Sequence, residues 1–343
     1  MKTYTIADFK ATERDGTKSY RIFAACLDRA LGDFMTRAYY LAAIKANRGV
    51  ATNITAYWVD DRPYKAPIMA MAPQIDRHIV ARDGETLPLD AFYDTGDRRP
   101  LPDTALSRVT TRDHARSDLI LTPSMMLAEN LRKFQRLPKF QIPPSEAEGL
   151  MQRLQKKGLS FGRWHATIFY RLPNYKHRGP TPYRDIQDEG NWAALADHII
   201  NDLGGQVARI GHDGMADWPP RKGFIDLSRD EDIMLHAYAA AMSRFCIVTP
   251  SGPALLPGAF DVPFALANAV SVLGCFRPDT IILPRPIFRP DGSPLDIDRL
   301  KEAGLWNDAV VRDLTLNHRH YIRDNTAEEL CGLADTLYER TKS

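Results

Sequence analysis

Short runs rich in β-branched and aromatic residues alternate along this chain with segments whose apolar residues return every third or fourth position. This rhythm constrains the fold more than any other feature. Strands separated by helices cannot close as hairpins; they align in parallel, with the helices covering the sheet faces. In the first half, YRIFAACL (20–27) reads as a buried strand. Phe34, Ala38, Leu41 and Ala42 then recur at helical spacing before Gly49 ends the segment. ATNITAYWVD (51–60) is a second strand, DLILTPSMML (118–127) a third, and AENLRKFQRL a helix. Residues 84–117, dense in Asp, Arg, Gly and Pro, read as an irregular insertion.

At 343 residues the chain exceeds the usual size of a single core, so two domains are expected. Pro138, Pro143 and Pro144 make a stiff connector, and Ser145 with Glu148 has the pattern of a capping box opening the next helix. The hinge is placed between residues 138 and 160, dividing the chain into 1–150 and 151–343. In the second half WHATIFYRL is a strand, and NWAALADHIINDL is a helix closed by Gly204-Gly205. QVARIG and GFIDLS are further strands. Ser228 and Glu231 box the start of DIMLHAYAAAMSR; RFCIVTP is a strand, PALLPGAF a short helix and VPFALANA another strand. An amphipathic helix at 326–341, opened by Asn325 or Thr326, is free to pack back on the N-terminal domain. The fold class is α/β, with doubly wound sheets.

A formal charge of +2 is too mild for nucleic acid to be the main partner, so any basic site must be local. Cys26, Cys246, Cys275 and Cys331 lie far apart, without metal-ligand spacing, and the first and second sit in apolar runs as small hydrophobes. The start, MKTYTIADFKATERDG, lacks the apolar core of a signal peptide, and no run of about 18 apolar residues forms a transmembrane segment. A cytoplasmic protein is expected.

In an open parallel sheet, ligands bind outside the carboxyl ends of the strands. Three loops of the second half fall at such ends. The first carries Arg171, Lys176, His177, Arg178 and Arg184 around Gly179, with no acid before Asp185. Such unneutralised charge suits a diphosphate, and equally a solvated basic loop. The second carries Arg209 and His212; a lone histidine is more often structural than functional. The third is the turn Ser251-Gly252-Pro253, where a hydroxyl, a bare backbone and the first N–H groups of a helix can meet a phosphate. In the first half Gly32 and Asp33 open a helix, where Asp33 either caps it or takes a proton from a hydroxyl as general base.

From Ala166 to Pro284, about a third of the chain, the sequence resembles a bacterial family of glycosyltransferases of GT-B architecture. The blocks that carry this resemblance are FYRLPNYKHRGPTPYRDI, VARIGHDGM, FIDLS and RFCIVTPSGPALLPGAFDVPFALAN, in that order and spacing. The Ser-Gly turn followed by G-x-F-x-x-P looks like the donor-binding turn of heptosyltransferases, and Leu31-Gly32-Asp33 looks like their N-terminal Leu-Gly-Asp loop. The resemblance implies two Rossmann-like domains facing a cleft, the C-terminal one binding a nucleotide-sugar donor and the N-terminal one the acceptor. Carried over, Arg178 neutralises the donor diphosphate, Ser251 and Gly252 bind its phosphates, Arg209 and His212 lie near the nucleotide or sugar, and Asp33 is the base. The sequence departs from the pattern at Leu255, where heptosyltransferases carry a histidine.

The reaction implied is transfer of a sugar to a hydroxyl of a glycan, lipid-linked or protein acceptor, inverting and metal-independent. No cofactor is expected beyond the nucleotide sugar as substrate. Asp230-Glu231-Asp232 reads as charge complementing a helix dipole, not as a metal motif. The alternatives are a nucleotide-sugar epimerase, and a nucleotide- or sugar-binding protein without catalysis.

Overall fold

The computed structural model describes residues 20–48, 52–82, 119–121, 123–173, 181–271 and 277–342. The expected insertion at 84–117 lies outside them. The first sheet is built from β1 (Tyr20–Cys26), β2 (Thr52–Asp60), β3 (Arg77–Arg82) and β4 (Leu119–Leu121), in the order β3-β2-β1-β4. All its pairings are parallel, with Ile22 opposite both Ile54 and Leu119. Helix α1 (Leu31–Arg48) crosses from β1 to β2, and every residue from Phe34 to Ile44 is buried, far more than a one-sided amphipathic stripe requires. The reason is that α1 is covered on a second side by the other half of the molecule.

Two elements of this sheet were not legible in the sequence: helix α2 (Lys65–Ala70), which contains Pro67, and β3, a charged six-residue strand. The strand expected over 118–127 is only three residues long. Pro123 has no N–H to give a ladder, and Pro123–Met125 turns into a 3-10 helix instead. The helix expected in AENLRKFQRL is likewise a 3-10 segment, Ala128–Lys133, after which the chain extends so that Phe134 meets the Tyr40 ring edge-on at 5.2 Å.

The second sheet has the order β10-β9-β8-β5-β6-β7, again with every pairing parallel. Its strands are β5 (His165–Phe169), β6 (Gln206–Arg209), β7 (Phe224–Asp226), β8 (Phe245–Val248), β9 (Phe264–Ala269) and β10 (Ile281–Pro284). Helix α3 (Pro144–Lys156) enters this half, α4 (Gly190–Asn201) joins β5 to β6, α5 (Ile233–Ala241) joins β7 to β8, and α6 (Leu255–Ala259) joins β8 to β9. Gly204 ends α4 with φ of 73°, as a left-handed stop.

Neither expected capping box in this half forms. Helix α3 begins at Pro144, with Pro143 ahead of it and no side-chain cap. Asp232 rather than Ser228 caps α5, accepting from Met234 N–H at 2.9 Å. The Asp230–Asp232 acids are structural: Asp230 pairs with Lys157 at 2.8 Å and Asp232 with Arg153, tying α3 to α5.

The chain continues through the hairpin β11 (Ile287–Phe288) and β12 (Tyr321–Ile322), with helices α7 (Ile297–Glu302) and α8 (Asp308–Asn317) between its strands. It then forms α9 (Ala327–Arg340), opened by a Thr326–Glu329 capping box. Leu330, Leu333, Ala334 and Leu337 of α9 pack with Trp192, Leu195 and Ile199 of α4 over one face of the second sheet. The last helix therefore does not pack back on the first domain. His198 fastens α9 to α4, its two ring nitrogens 2.7 Å from Asp202 and Asp335.

The other face of the second sheet shares one continuous apolar cluster with the first sheet. The proline connector is part of it: Phe140 N–H donates to Ala259 O at 2.8 Å, Gln141 N–H to Met71 O at 2.9 Å, and the Phe140 ring meets Tyr39 and Phe260 edge-on. Nearer the sheet edges the two halves touch backbone to backbone. A Cβ on Gly32 would stand 2.8 Å from Gly252 Cα, and a Cβ on Gly252 would stand 2.9 Å from Gly32 N. Only glycine fits on either side of this seam.

Three substitutions test this packing. Gly32→Ala and Gly252→Ala should each destabilise the protein by about 1–3 kcal/mol, because the clash is with backbone that cannot rotate away. Gly149→Ala, in the middle of α3 with nothing within 4 Å of its added methyl, should stabilise by roughly 0.5–1 kcal/mol; denaturant melts of the three variants check both signs. A fourth test concerns pH. Burial pulls the His198 pKa down, but hydrogen bonds and charge from Asp335 and Asp202 outweigh it and leave it above its ordinary value. Its protonation therefore stabilises the fold below the unfolded pKa, and that contribution fades as pH rises through the folded value. The melting-temperature deficit of His198→Gln should accordingly be largest in mild acid and shrink toward alkaline pH.

Candidate functional site

Both sheets reverse their strand order at one place, and the two places face each other. In the second sheet the chain leaves β5 toward β6 on one side and later returns to β8 on the other. The loops after Phe169 and Val248 therefore diverge there, as they do wherever an open α/β sheet forms a ligand crevice. Thr249, fully buried, stitches this point together: its N–H donates to Phe169 O at 2.9 Å, and its Oγ1 accepts from Arg171 N–H at 3.0 Å. In the first sheet the corresponding point lies between β1 and β4. Arg37 spans it, forking onto Asp28 at 3.0 and 3.1 Å and donating to Met126 O. The Gly32–Gly252 seam joins the two points.

Of the basic loop, Lys176, Arg178 and Gly179 lie outside the described residues. Arg171 is paired within the loop: Nε donates to Asp185 at 2.7 Å and Nη2 to Thr181 at 2.7 Å. Asp185, buried, also accepts from Thr181 N–H at 2.6 Å, so the acid that ends the basic window neutralises the arginine that opens it. The far side of the loop is held by Asp324, which accepts from the N–H groups of Gln187 at 2.6 Å and Asp188 at 2.9 Å and pairs with fully buried Arg285.

Arg209 is enclosed as well. Its side chain has no exposure, and its donors go to Asp226, to Tyr170 Oη at 2.7 Å and to Ala216 O at 2.8 Å. The guanidinium lies 4.4 Å from the Trp218 ring centroid, inside a stack that continues to Phe224. Burial alone would raise the Asp226 carboxyl, but bonds from Arg209 and Ser228 hold it below its ordinary pKa. Burial, followed by the Glu189 bond, raises the Tyr170 phenol well above its usual range. His212, partly exposed at the end of β6, accepts from Gly214 N–H at 3.1 Å through Nδ1.

The turn keeps partial exposure at Ser251, Gly252 and Pro253, although the Gly32 backbone and the Leu31 Cβ lie against it on one side. Ser251 Oγ is buried and makes no hydrogen bond with any described residue. Gly252–Ala254 is a 3-10 turn running directly into α6. Leu255, where the resemblance would place a histidine, is buried in the core, so no titratable group stands there. Across the seam Asp33 is exposed in the first turn of the 18-residue α1, where the helix dipole favours its ionised form. The approach to α1 is held by neighbours: Tyr64 donates to Arg29 O, and Asp61 pairs with Arg29 at 3.1 Å and with buried Lys65 at 2.7 Å.

Sequence reasoning passed over Asp308 and the ties of Arg184. Arg184 Nη2 donates to Pro250 O at 3.0 Å, one residue before the turn, and its Nη1 lies 3.7 Å from Asp308, which opens α8. The acidic start of α8 was a visible signal, but nothing in sequence joins it to a turn more than fifty residues earlier. Cys26 and Cys246 are buried as expected; burial raises both thiols to about 12 and keeps them protonated. Among the described residues no group of three or more His, Cys, Asp or Glu is placed to hold a metal ion, and no helix is long and apolar enough to cross a membrane.

No family model and no curated protein matches the sequence. Among solved structures, a glycosyl transferase family 9 protein from Veillonella parvula superposes with a TM-score of 0.58 at 13% identity, covering 94% of this chain and 98% of the other. The ADP-heptose LPS heptosyltransferase II of E. coli superposes with a TM-score of 0.58 at 12% identity, covering 94% of this chain and 100% of the other. At this identity the likeness is one of architecture. The chain has the fold of these transferases, the GT-B arrangement of two Rossmann-like sheets.

Proposed function

We propose that the protein is a glycosyltransferase that moves a sugar from a nucleotide-sugar donor to an acceptor hydroxyl. The observation that carries this reading is the convergence of the two strand-order reversals on one seam. The Ser251–Gly252 turn lies on one side of it and the Asp33-bearing start of α1 on the other. A donor held at the second sheet and an acceptor at the first would meet there.

In this mechanism Asp33 accepts the proton of the acceptor hydroxyl, whose oxygen attacks the anomeric carbon as the bond to the donor phosphate breaks. The electron pair leaves with the diphosphate. Ser251 Oγ–H, the N–H groups of the turn and the charges of Lys176 and Arg178 stabilise that developing negative charge. The orphaned Ser251 hydroxyl supports this role, because a buried hydroxyl without a protein partner is costly unless a ligand completes it. We further propose that the transfer inverts the anomeric centre in a single displacement, proceeds without a metal ion, and takes place in the cytoplasm. Gly179 and Pro253 would let the backbone approach the phosphates, and His212 would lie near the nucleoside or sugar.

The test is a panel of ADP-, GDP-, UDP-, CMP- and dTDP-sugars, followed by mass spectrometry for transfer or hydrolysis, with and without EDTA. One donor should be consumed, at a rate unchanged by the chelator. Arg178→Ala should abolish turnover and Asp33→Asn should lower kcat by roughly 100-fold or more, the latter with only a small loss of stability from the missing charge at the start of α1. A free epimer as product, or tight binding without turnover, would replace this reading with the corresponding one.

A further inference from the structure

The arginines at the carboxyl edge of the second sheet are not equivalent. Among those described, Arg171 and Arg209 give their donors to Asp185 and to Asp226, Tyr170 and Ala216, and Arg285 is sealed against Asp324 and Pro182. Arg184 differs. Its side chain makes one hydrogen bond to a described residue, from Nη2 to Pro250 O at 3.0 Å; its Nε, like that of Arg285, is buried with no partner among the described residues, but Arg285 has no exposure and carries Asp324 against it. The Arg184 side chain retains 20% exposure, and the one described acid paired with it, Asp308, stands 3.7 Å away, too far for a hydrogen bond. Asp308 is under-used in turn: Oδ2 takes a long 3.4 Å bond from Tyr183 Oη, and Oδ1 is buried without a partner.

A guanidinium with open donors, tethered to the carbonyl that precedes Ser251-Gly252, matches a doubly charged anion better than it matches a distant carboxylate. We propose that Arg184 is a diphosphate-binding residue of the turn and that Asp308 is its resident counter-ion. Asp308 partly neutralises Arg184 across the 3.7 Å gap. An incoming diphosphate fills the vacant donors and takes over that neutralisation, while Asp308 opposes the anion and limits its affinity. The leaving group would thus be held firmly enough to depart with its charge stabilised, and loosely enough to be released. This assignment rests on the donor-site reading given above and adds to it a residue pair with opposite effects.

The experiment is isothermal titration of the full chain with inorganic pyrophosphate, ADP and UDP, using wild type, Arg184→Gln, Arg184→Lys and Asp308→Asn. Arg184→Gln should weaken pyrophosphate binding by about tenfold to a hundredfold, with Arg184→Lys intermediate because it keeps charge but loses the fork. Asp308→Asn should tighten binding by about threefold to tenfold, since it removes a like charge. A merely structural role would not produce this increase. Should Arg184→Gln fail to fold, the Lys variant and the tightening by Asp308→Asn still decide the matter. Unchanged affinity in the Arg184 variants, or weaker binding in Asp308→Asn, overturns the proposal while leaving sugar transfer by the wild type intact. Failure of the wild type to bind any diphosphate overturns both.

Discussion

The approach of Gly32 to Gly252 is the constraint on which the rest of the arrangement depends. Two peptide segments without side chains lie against each other, and this lets the start of α1 and the turn after β8 stand at one point. Any larger residue on either side would hold the sheets apart by the width of a methyl group. The proposed reach of the Asp33 carboxylate toward the Ser251–Gly252 turn would then be lost, since proton transfer requires hydrogen-bond distance. The apolar cluster shared by both halves and the Phe140 connector keep the seam closed, so the contact is backed by packing on more than one side.

A second constraint is electrostatic. Lys and Arg total 45 against 43 Asp and Glu, and many of these charges cancel locally inside the fold. Arg171, Arg209 and Arg285 are each enclosed with a carboxylate, so they fix loop geometry at the sheet edge without presenting charge to solvent. Removing one partner of such a pair would leave a buried charge at a cost of about 3–5 kcal/mol. The loops at the crevice are thus rigid at their roots by virtue of buried ion pairs, while the turn itself keeps an unsatisfied hydroxyl and Arg184 keeps open donors.

How much of this could be read from the sequence depended on the range of the interaction. Helices α1, α4 and α9 and the strands that precede α1, α4 and α6 follow from local periodicity, and the covalent order of elements imposes the parallel sheets. The Gly32 and Gly252 positions were visible as turn residues, though their mutual contact was not, because 220 positions separate them. The pairing of Arg171 was hidden for the same reason. A count of charges along the chain shows Arg171 far from an acid, whereas the fold brings Asp185 back onto it at 2.7 Å. Short elements escaped too: α2 holds a proline, and three residues of β4 need the neighbouring β1 to be strand at all.

The docking of α9 has a bearing on how the molecule assembles. One face of the second sheet is covered by α4 together with Leu330, Leu333 and Leu337 of α9, yet the sheet's central strand begins at His165. During synthesis at roughly 5–20 residues per second, that apolar face stays half-covered for on the order of ten seconds or more before its last layer emerges. Among the described residues the first sheet contains no strand beyond Leu121, and it can be complete by then. The nascent second half is therefore the part with an interval in which chaperones, or neighbouring chains, have access to bare sheet.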